Sequence, residues 1–199
     1  MSTSERALRT GEVTPRMVES EAVQMSGRRP FGSRLPIFSM PLFEYESHID
    51  ASLDDVWDFH SRVRGLTELT PGWMRLTVEA TTGPDGEPDP EILEEGSSVD
   101  VSLKPLGVFP RVSWTSVITE RDREGDEAYF VDEMSDGPFK KWRHTHSFEA
   151  HNGGTVVHDR VEYALPLWML GRAGSPFFWL NARMMFRGRH KKTRELLED

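Results

Sequence analysis

Cysteine is absent from the 199 residues of this sequence. Disulfides, cysteine-ligated zinc, iron–sulfur clusters and thiol nucleophiles are therefore excluded from its chemistry. The sequence also lacks a run of about 18 apolar residues, which a membrane-spanning helix requires. Its first ~30 residues lack the apolar core of a secretory signal. We therefore expect a cytoplasmic protein with no integral membrane segment.

An excess of basic charge is also missing, since 24 Lys and Arg stand against 33 Asp and Glu, for a net charge of -9. This balance argues against a nucleic-acid partner, which normally selects a basic protein. Hydrophobic residues make up 37% of the chain and aromatic residues 10%, enough for a folded core. The length predicts one domain with a tail.

The N-terminal residues 1–36 are polar, rich in Arg, Ser and Glu, and show no sustained hydrophobic periodicity. We expect a flexible tail here, because such a segment buries too little apolar surface to offset its ordering entropy. The sequence predicts a single domain over residues 37–199. Limited proteolysis at Arg28 or Arg29 should trim the tail and leave that domain folded.

Alternating apolar and polar residues predict a first strand, in which Phe43, Tyr45, Ser47 and Ile49 share one face. Short helices follow, the first capped by Ser52, and about six strands come after them. The last two strands flank an Asn152-Gly153 dipeptide, a strong signal for a tight hairpin turn.

A long helix closes the predicted element order, with Ser175 as its N-cap, Pro176 at its first position and its end near Leu197. A run of strands followed by a helix indicates an α+β fold rather than an alternating parallel one. The helix is the only predicted element long enough to cover an apolar face of the sheet.

The segment Gly137–Phe148 reads G-P-F-x-x-W-x-H-x-H-x-F. Together with the Asp54–Phe59 helix and the pattern from Asp159 to Pro166, it resembles the SRPBCC superfamily of START-like, helix-grip proteins, and within it bacterial ligand-binding members of the polyketide cyclase/dehydrase type. The resemblance covers residues 40–199. It implies a curved antiparallel sheet of about six to seven strands wrapped around the long C-terminal helix, with two short helices after the first strand.

This resemblance also implies a deep cavity between the sheet and the helix. We therefore expect the protein to bind or carry a small apolar ligand, lipid-, quinone- or polyketide-like. The alternative is an enzyme acting on such a ligand, a cyclase or dehydratase-like lyase that works without metal.

The alternation along the strand after Gly137 places His144 and His146 on its inward face. If Asn152-Gly153 is a two-residue turn, His146 lies opposite Asp159 on the partner strand. This pair has three interpretations: a structural pair, a polar anchor for a ligand carbonyl or hydroxyl, or an acid–base pair with His146 as general base.

The His144-x-His146 spacing also fits a metal site with a nearby carboxylate. Glu149 points to the opposite face, which leaves Asp159 as the third ligand. Because successive same-face residues are ~7 Å apart along a strand, the two histidines are awkwardly spaced for binding one metal ion. We therefore expect neither a metal nor another cofactor. Asp132 is a weaker candidate, because the pattern of its strand fits either an inward or an outward position.

The residues predicted to contact a ligand share the inward face of the sheet or one face of the helix: Trp142, His144, His146, Phe148, Asp159, Tyr163, Phe178, Ala182 and Met185. The apolar stretch Leu165–Leu170 either packs against the helix or forms a lid or membrane-touching edge. The later turns of the predicted C-terminal helix are basic, with Arg183, Arg187, Arg189, Lys191, Lys192 and Arg194. They either pair with the acidic remainder of the domain or contact a membrane peripherally.

Overall fold

The computed structural model describes residues 41–164 and 174–198. The predicted tail 1–36 and the stretch Leu165–Leu170 lie outside the described residues. Within these two ranges, none of the helices is both long and apolar enough to cross a membrane.

Besides two single-turn 3-10 helices, Gly72–Met74 and Pro105–Gly107, the described chain contains seven strands and three α-helices. In chain order they are β1 (Leu42–Ile49), α1 (Leu53–His60), α2 (Val63–Leu69), β2 (Thr77–Thr82), β3 (Ser98–Leu103), β4 (Val112–Glu124), β5 (Glu127–Ser135), β6 (Lys141–His151), β7 (Gly154–Ala164) and α3 (Gly174–Leu197).

The seven strands form one antiparallel, open and curved sheet in the order β1-β7-β6-β5-β4-β3-β2. The first strand, β1, thus pairs with the last strand, β7, and α3 packs against β1. The short helices α1 and α2 lie between β1 and β2 in sequence, and α1 packs on β6 and β7. The predicted α+β helix-grip architecture is confirmed.

The start of α1 follows from its sequence. The hydroxyl of Ser52 accepts a hydrogen bond from the Asp55 amide at 3.1 Å, as an N-cap should. Asp54 and Asp55 place negative charge in the first turn, where the helix dipole favours it.

The β6–β7 hairpin has the predicted register. Asn152 and Gly153 both have positive φ, +52° and +84°, as a tight two-residue turn requires. His146 therefore lies opposite Asp159, and His144 opposite Val161.

One detail of α3 differs from the sequence prediction. The helix begins at Gly174, so Ser175 lies inside its first turn rather than at its cap. The side chain of Phe178 lies outside the described part of the chain.

The buried apolar residues form two clusters. One lies beneath α1 and includes Trp57, Phe130 and Phe148. The other lies beneath α3 and includes Phe43 and Phe186, whose rings stack at 5.1 Å, with further members Val161, Tyr163 and Ala182. The candidate site lies where the two clusters meet.

Candidate functional site

Three adjacent strands bring four ionisable side chains together on the inner face of the sheet. Asp132 on β5 is the cross-strand partner of His144 on β6. His146, two residues further along β6, is the partner of Asp159 on β7. The sequence supplies this cluster because inner-face positions recur every second residue along each strand.

Asp159 is the centre of the cluster, and its side chain is only 3% exposed. Its Oδ1 accepts a hydrogen bond from His144 Nε2 at 2.8 Å and lies 2.7 Å from His146 Nδ1. Its Oδ2 lies 2.6 Å from Nε2 of a third histidine, His190 of α3. The predicted contact between His146 and Asp159 is present, but it is one of three.

Asp132 faces inward, which resolves the alternative that the sequence left open. Its Oδ2 lies 3.3 Å from His144 Nδ1 and 3.3 Å from His146 Nε2. Its other oxygen accepts a hydrogen bond from Ser116 at 3.0 Å. The two imidazoles therefore lie between two carboxylates, each ring turning one nitrogen to Asp159 and the other to Asp132.

Two members of the site, His190 and Ser47, were missed in the sequence analysis. His190 follows the buried Phe186 by four residues, so it lies on the same face of α3. Because its Nε2–H donates to Asp159, its Nδ1 is free to accept a hydrogen bond from the Ser47 hydroxyl at 2.6 Å. The signal was the apolar helical stripe, extended by one turn, and the inward row of β1.

The electrostatics of the cluster combine burial with close opposite charge. Burial alone would lower the pKa of His144, but the two carboxylates, Asp132 first, outweigh it and raise that pKa to about 9. Burial would raise the pKa of Asp159, yet attraction to His146 and the imidazole hydrogen bonds bring it well below its usual range. The same balance lowers the pKa of Asp132. Burial lowers the pKa of His190 and favours its neutral form.

Aromatic rings enclose this polar cluster. Phe130 stacks on His146 with ring centres 4.3 Å apart, and Phe186 meets His144 edge-on at 5.2 Å. Tyr45 meets His190 edge-on at 4.7 Å. An environment of this kind strengthens electrostatic interactions, because few water molecules screen them.

The cluster is not equally buried on all sides. The Asp132 side chain is 16% exposed, against 3% for Asp159. The Asp132 side of the two imidazoles is therefore the more accessible one. A small molecule approaching there would meet imidazole nitrogens and a carboxylate within an apolar surround.

The remaining predicted ligand-contact residues lie in or beside the two apolar clusters. Tyr163 of β7 and Ala182 of α3 are buried in the cluster between the sheet and α3, and Trp142 and Met185 are partly buried beside them. Phe148 is buried beneath α1, against Trp57.

A comparison with protein-family models matches residues 49–187 to a family described as "Polyketide cyclase / dehydrase and lipid transport". No curated protein matches the sequence.

Several solved structures share the fold at low sequence identity. CV1439 from Chromobacterium violaceum is similar with a TM-score of 0.56 and 12% identity over 79% of this chain and 97% of that one. A START superfamily protein from Mycobacterium smegmatis has a TM-score of 0.54 and 15% identity over 79% and 97%. Norcoclaurine synthase from Thalictrum flavum, in complex with dopamine and hydroxybenzaldehyde, has a TM-score of 0.54 and 18% identity over 86% and 96%.

Proposed function

Because this chain belongs to the polyketide cyclase/dehydrase and lipid transport family, we propose that it binds a small, largely apolar ligand between the sheet and α3. The observation that carries the proposal is the ionisable cluster on the inner face, enclosed by aromatic rings and accessible on its Asp132 side. Ligand sites of this type combine an apolar lining with a few polar groups that fix orientation.

The polar groups specify what the ligand must carry. The nitrogens of His144 and His146 on the Asp132 side can donate hydrogen bonds to a ligand when they are protonated. The Asp132 carboxylate can accept a hydrogen bond from a ligand. A ligand carbonyl would accept from an imidazole, and a ligand hydroxyl would donate to Asp132. The proposed ligand is therefore an apolar ring system or chain that bears at least one such oxygen, as quinones and polyketides do.

Isothermal titration calorimetry with naphthalene and 1-naphthol tests this proposal, because the two compounds share a ring system and differ by one hydroxyl. A hydrogen bond to a charged group contributes about 1.5–3 kcal/mol. We therefore expect the wild-type protein to bind 1-naphthol at least about tenfold more tightly than naphthalene. Asp132→Leu, which keeps the branched shape at Cγ and removes both oxygens, should abolish that preference and retain naphthalene binding.

Asp122→Leu is the matched control, since Asp122 is an exposed residue of β4 and the substitution is the same. It should keep the wild-type preference. A wild-type protein that binds neither compound would count against a ligand site of this kind. Equal affinity for the two compounds in the wild type would count against the polar anchor.

A catalytic role is the second candidate, and the contact between His146 and Asp159 supports it. A carboxylate 2.7 Å from Nδ1 fixes the imidazole, and Nε2 then faces the accessible side as a general acid or base would. A host extract incubated with wild-type protein or with His146→Gln should then yield a product, lighter by one water, with the wild type alone. Identical extracts would leave ligand binding as the function.

A further inference from the structure

The two carboxylates that flank the histidine pair are held at different distances. The contacts to Asp159 are 2.7 and 2.8 Å, typical of charge-assisted hydrogen bonds. The contacts to Asp132 Oδ2 are both 3.3 Å. The Asp132 distances are too long for strong charge-assisted hydrogen bonds, although both rings turn a nitrogen to the same oxygen.

These longer distances match the spacing of atoms that bind one metal ion. Ligand atoms at ~2.1 Å from a common first-row metal lie roughly 3.0–3.5 Å apart in octahedral or tetrahedral geometry. Asp132 Oδ2, His144 Nδ1 and His146 Nε2 all lie within 4.8 Å of one another. The three ligand atoms are therefore close enough to one another to bind a single ion.

The nitrogens on the opposite side are already fixed as metal-ligating histidines require. His144 Nε2 and His146 Nδ1 both face Asp159 Oδ1, so each ring can donate its N–H to that carboxylate. A metal ion bound on the other side would displace any proton from the nitrogen that faces Asp132 and bind to the lone pair there. Hydrogen bonds from metal-bound histidines to a carboxylate are a regular feature of metal sites, because they set the tautomer and the ring orientation.

The charge of the cluster also suits a divalent cation. Two carboxylates are buried together, and a buried negative charge needs a positive one beside it. Arg189 of α3 attracts both, although burial disfavours its charged form. With neutral imidazoles as ligands, a single divalent ion would balance Asp132 and Asp159.

We propose that Asp132, His144 and His146 bind a divalent transition-metal ion, with Asp159 as the carboxylate that positions both histidines. Two histidines and one carboxylate on one side of the ion leave further coordination positions open. The sequence pattern alone predicts no metal and offers Asp159 as the candidate third ligand. The geometry assigns the ligand role to Asp132, because Asp159 is occupied by three imidazoles. This site does not depend on the organic ligand proposed above.

Equilibrium dialysis with Zn²⁺, followed by metal analysis, tests the site in the full chain after EDTA treatment and without any organic ligand. We expect one ion per chain, and visible absorption from Co²⁺ bound in place of zinc. Asp132→Leu should abolish stoichiometric binding. Asp159→Asn keeps all three ligands and should weaken binding by about 10–100-fold.

His158→Gln is the control for adventitious binding by surface histidines. His158 is adjacent to Asp159 on β7 but lies on the outer face, near Glu44, so the substitution should leave the affinity unchanged. Wild-type protein that binds no zinc, or Asp132→Leu protein that binds it as well as the wild type, would overturn the proposal.

A measurement on the wild-type protein covers the case in which the variants fail to fold. Pulsed electron paramagnetic resonance with Cu²⁺ counts the imidazoles that bind the ion. Two are expected, and fewer than two would overturn the assignment. Because no organic ligand is present, a negative result here leaves the naphthol experiment unaffected.

Discussion

Asp159 is the residue on which the cluster depends, since three imidazoles contact its two oxygens. Each single replacement of a partner leaves the others in place, so the energetic coupling is shared. Residues in direct contact typically couple by about 0.5–3 kcal/mol. A double-mutant cycle measures this coupling for one partner at a time.

For the cycle of His146→Ala with Asp159→Asn, the loss of unfolding free energy in the double variant should be smaller than the sum of the single losses. The reason is that each single variant already removes the same contact. Urea denaturation monitored by tryptophan fluorescence provides the values. The cycle of His158→Ala with Asp159→Asn is the control and should be additive within about 0.5 kcal/mol, because His158 lies on the opposite face. Additivity in both cycles would contradict the contact.

His60 of α1 predicts a distinct pH dependence of stability. Burial lowers its pKa to about 3, and the charges that act on it are His146 and Arg189, which lower it, and Asp159, which raises it. Since the unfolded chain binds a proton near pH 6.5, this contribution to stability is complete above that pH and is lost as the pH falls toward 3.

We expect the wild type to lose about 2 kcal/mol more unfolding free energy than His60→Gln between pH 7 and pH 5. Urea titrations at the two pH values give this difference directly. His151→Gln, at an exposed position in the β6–β7 hairpin, should behave as the wild type does. If the unfolding free energy of His60→Gln fell by the same amount as that of the wild type between the two pH values, His60 could be protonated within the fold.

At the scale of elements, the β6–β7 hairpin sets the register of the site, and its turn requires positive φ at Gly153. An added Cβ at Gly153 meets no atom within 4 Å, so Gly153→Ala tests conformation alone. We expect a loss of about 1–2 kcal/mol in unfolding free energy. Gly72→Ala, which also has open space but no positive φ, should change stability by less than about 0.5 kcal/mol. Equal effects of the two substitutions in chemical denaturation would contradict this reasoning.

The same hairpin shows how far the sequence determines the site. The turn dipeptide and the two-residue alternation were sufficient to pair His146 with Asp159. Asp132 was ambiguous because Tyr129 and Phe130 make either face of β5 look apolar, and only its pairing with β6 decides between them. His190 was missed because its place depends on how α3 is rotated against β1, which is a property of tertiary packing.

At the scale of the whole molecule, the two edges of the sheet differ. β1 is covered by α3, through the Phe43–Phe186 stack and a hydrogen bond from Arg194 to the His48 carbonyl. β2 has a register shift between Val78 and Ala80, and most of its residues are exposed or partly exposed. Edges of this second kind open at lower free energy than covered ones.

Hydrogen exchange should reveal the difference. Backbone amides of β1 that bond to β7 should exchange at least about 100-fold more slowly than those of β2 that bond to β3, since opening β1 requires α3 to detach. Exchange followed by mass spectrometry of peptic fragments resolves the two strands. Comparable protection of the two strands would mean that α3 adds little to the stability of its edge.

The position of β1 also determines when the site can exist during synthesis. β1 ends at Ile49, and its sheet neighbour β7 begins at Gly154. At a translation rate of ~5–20 residues per second, the ribosome needs about 5–20 s to make the intervening chain. Throughout that time the apolar row of β1 lacks β7 as its partner, and exposed apolar surface of this kind is what chaperones bind. His190 is added later still, so Asp159 has all three of its imidazole partners only after translation of α3.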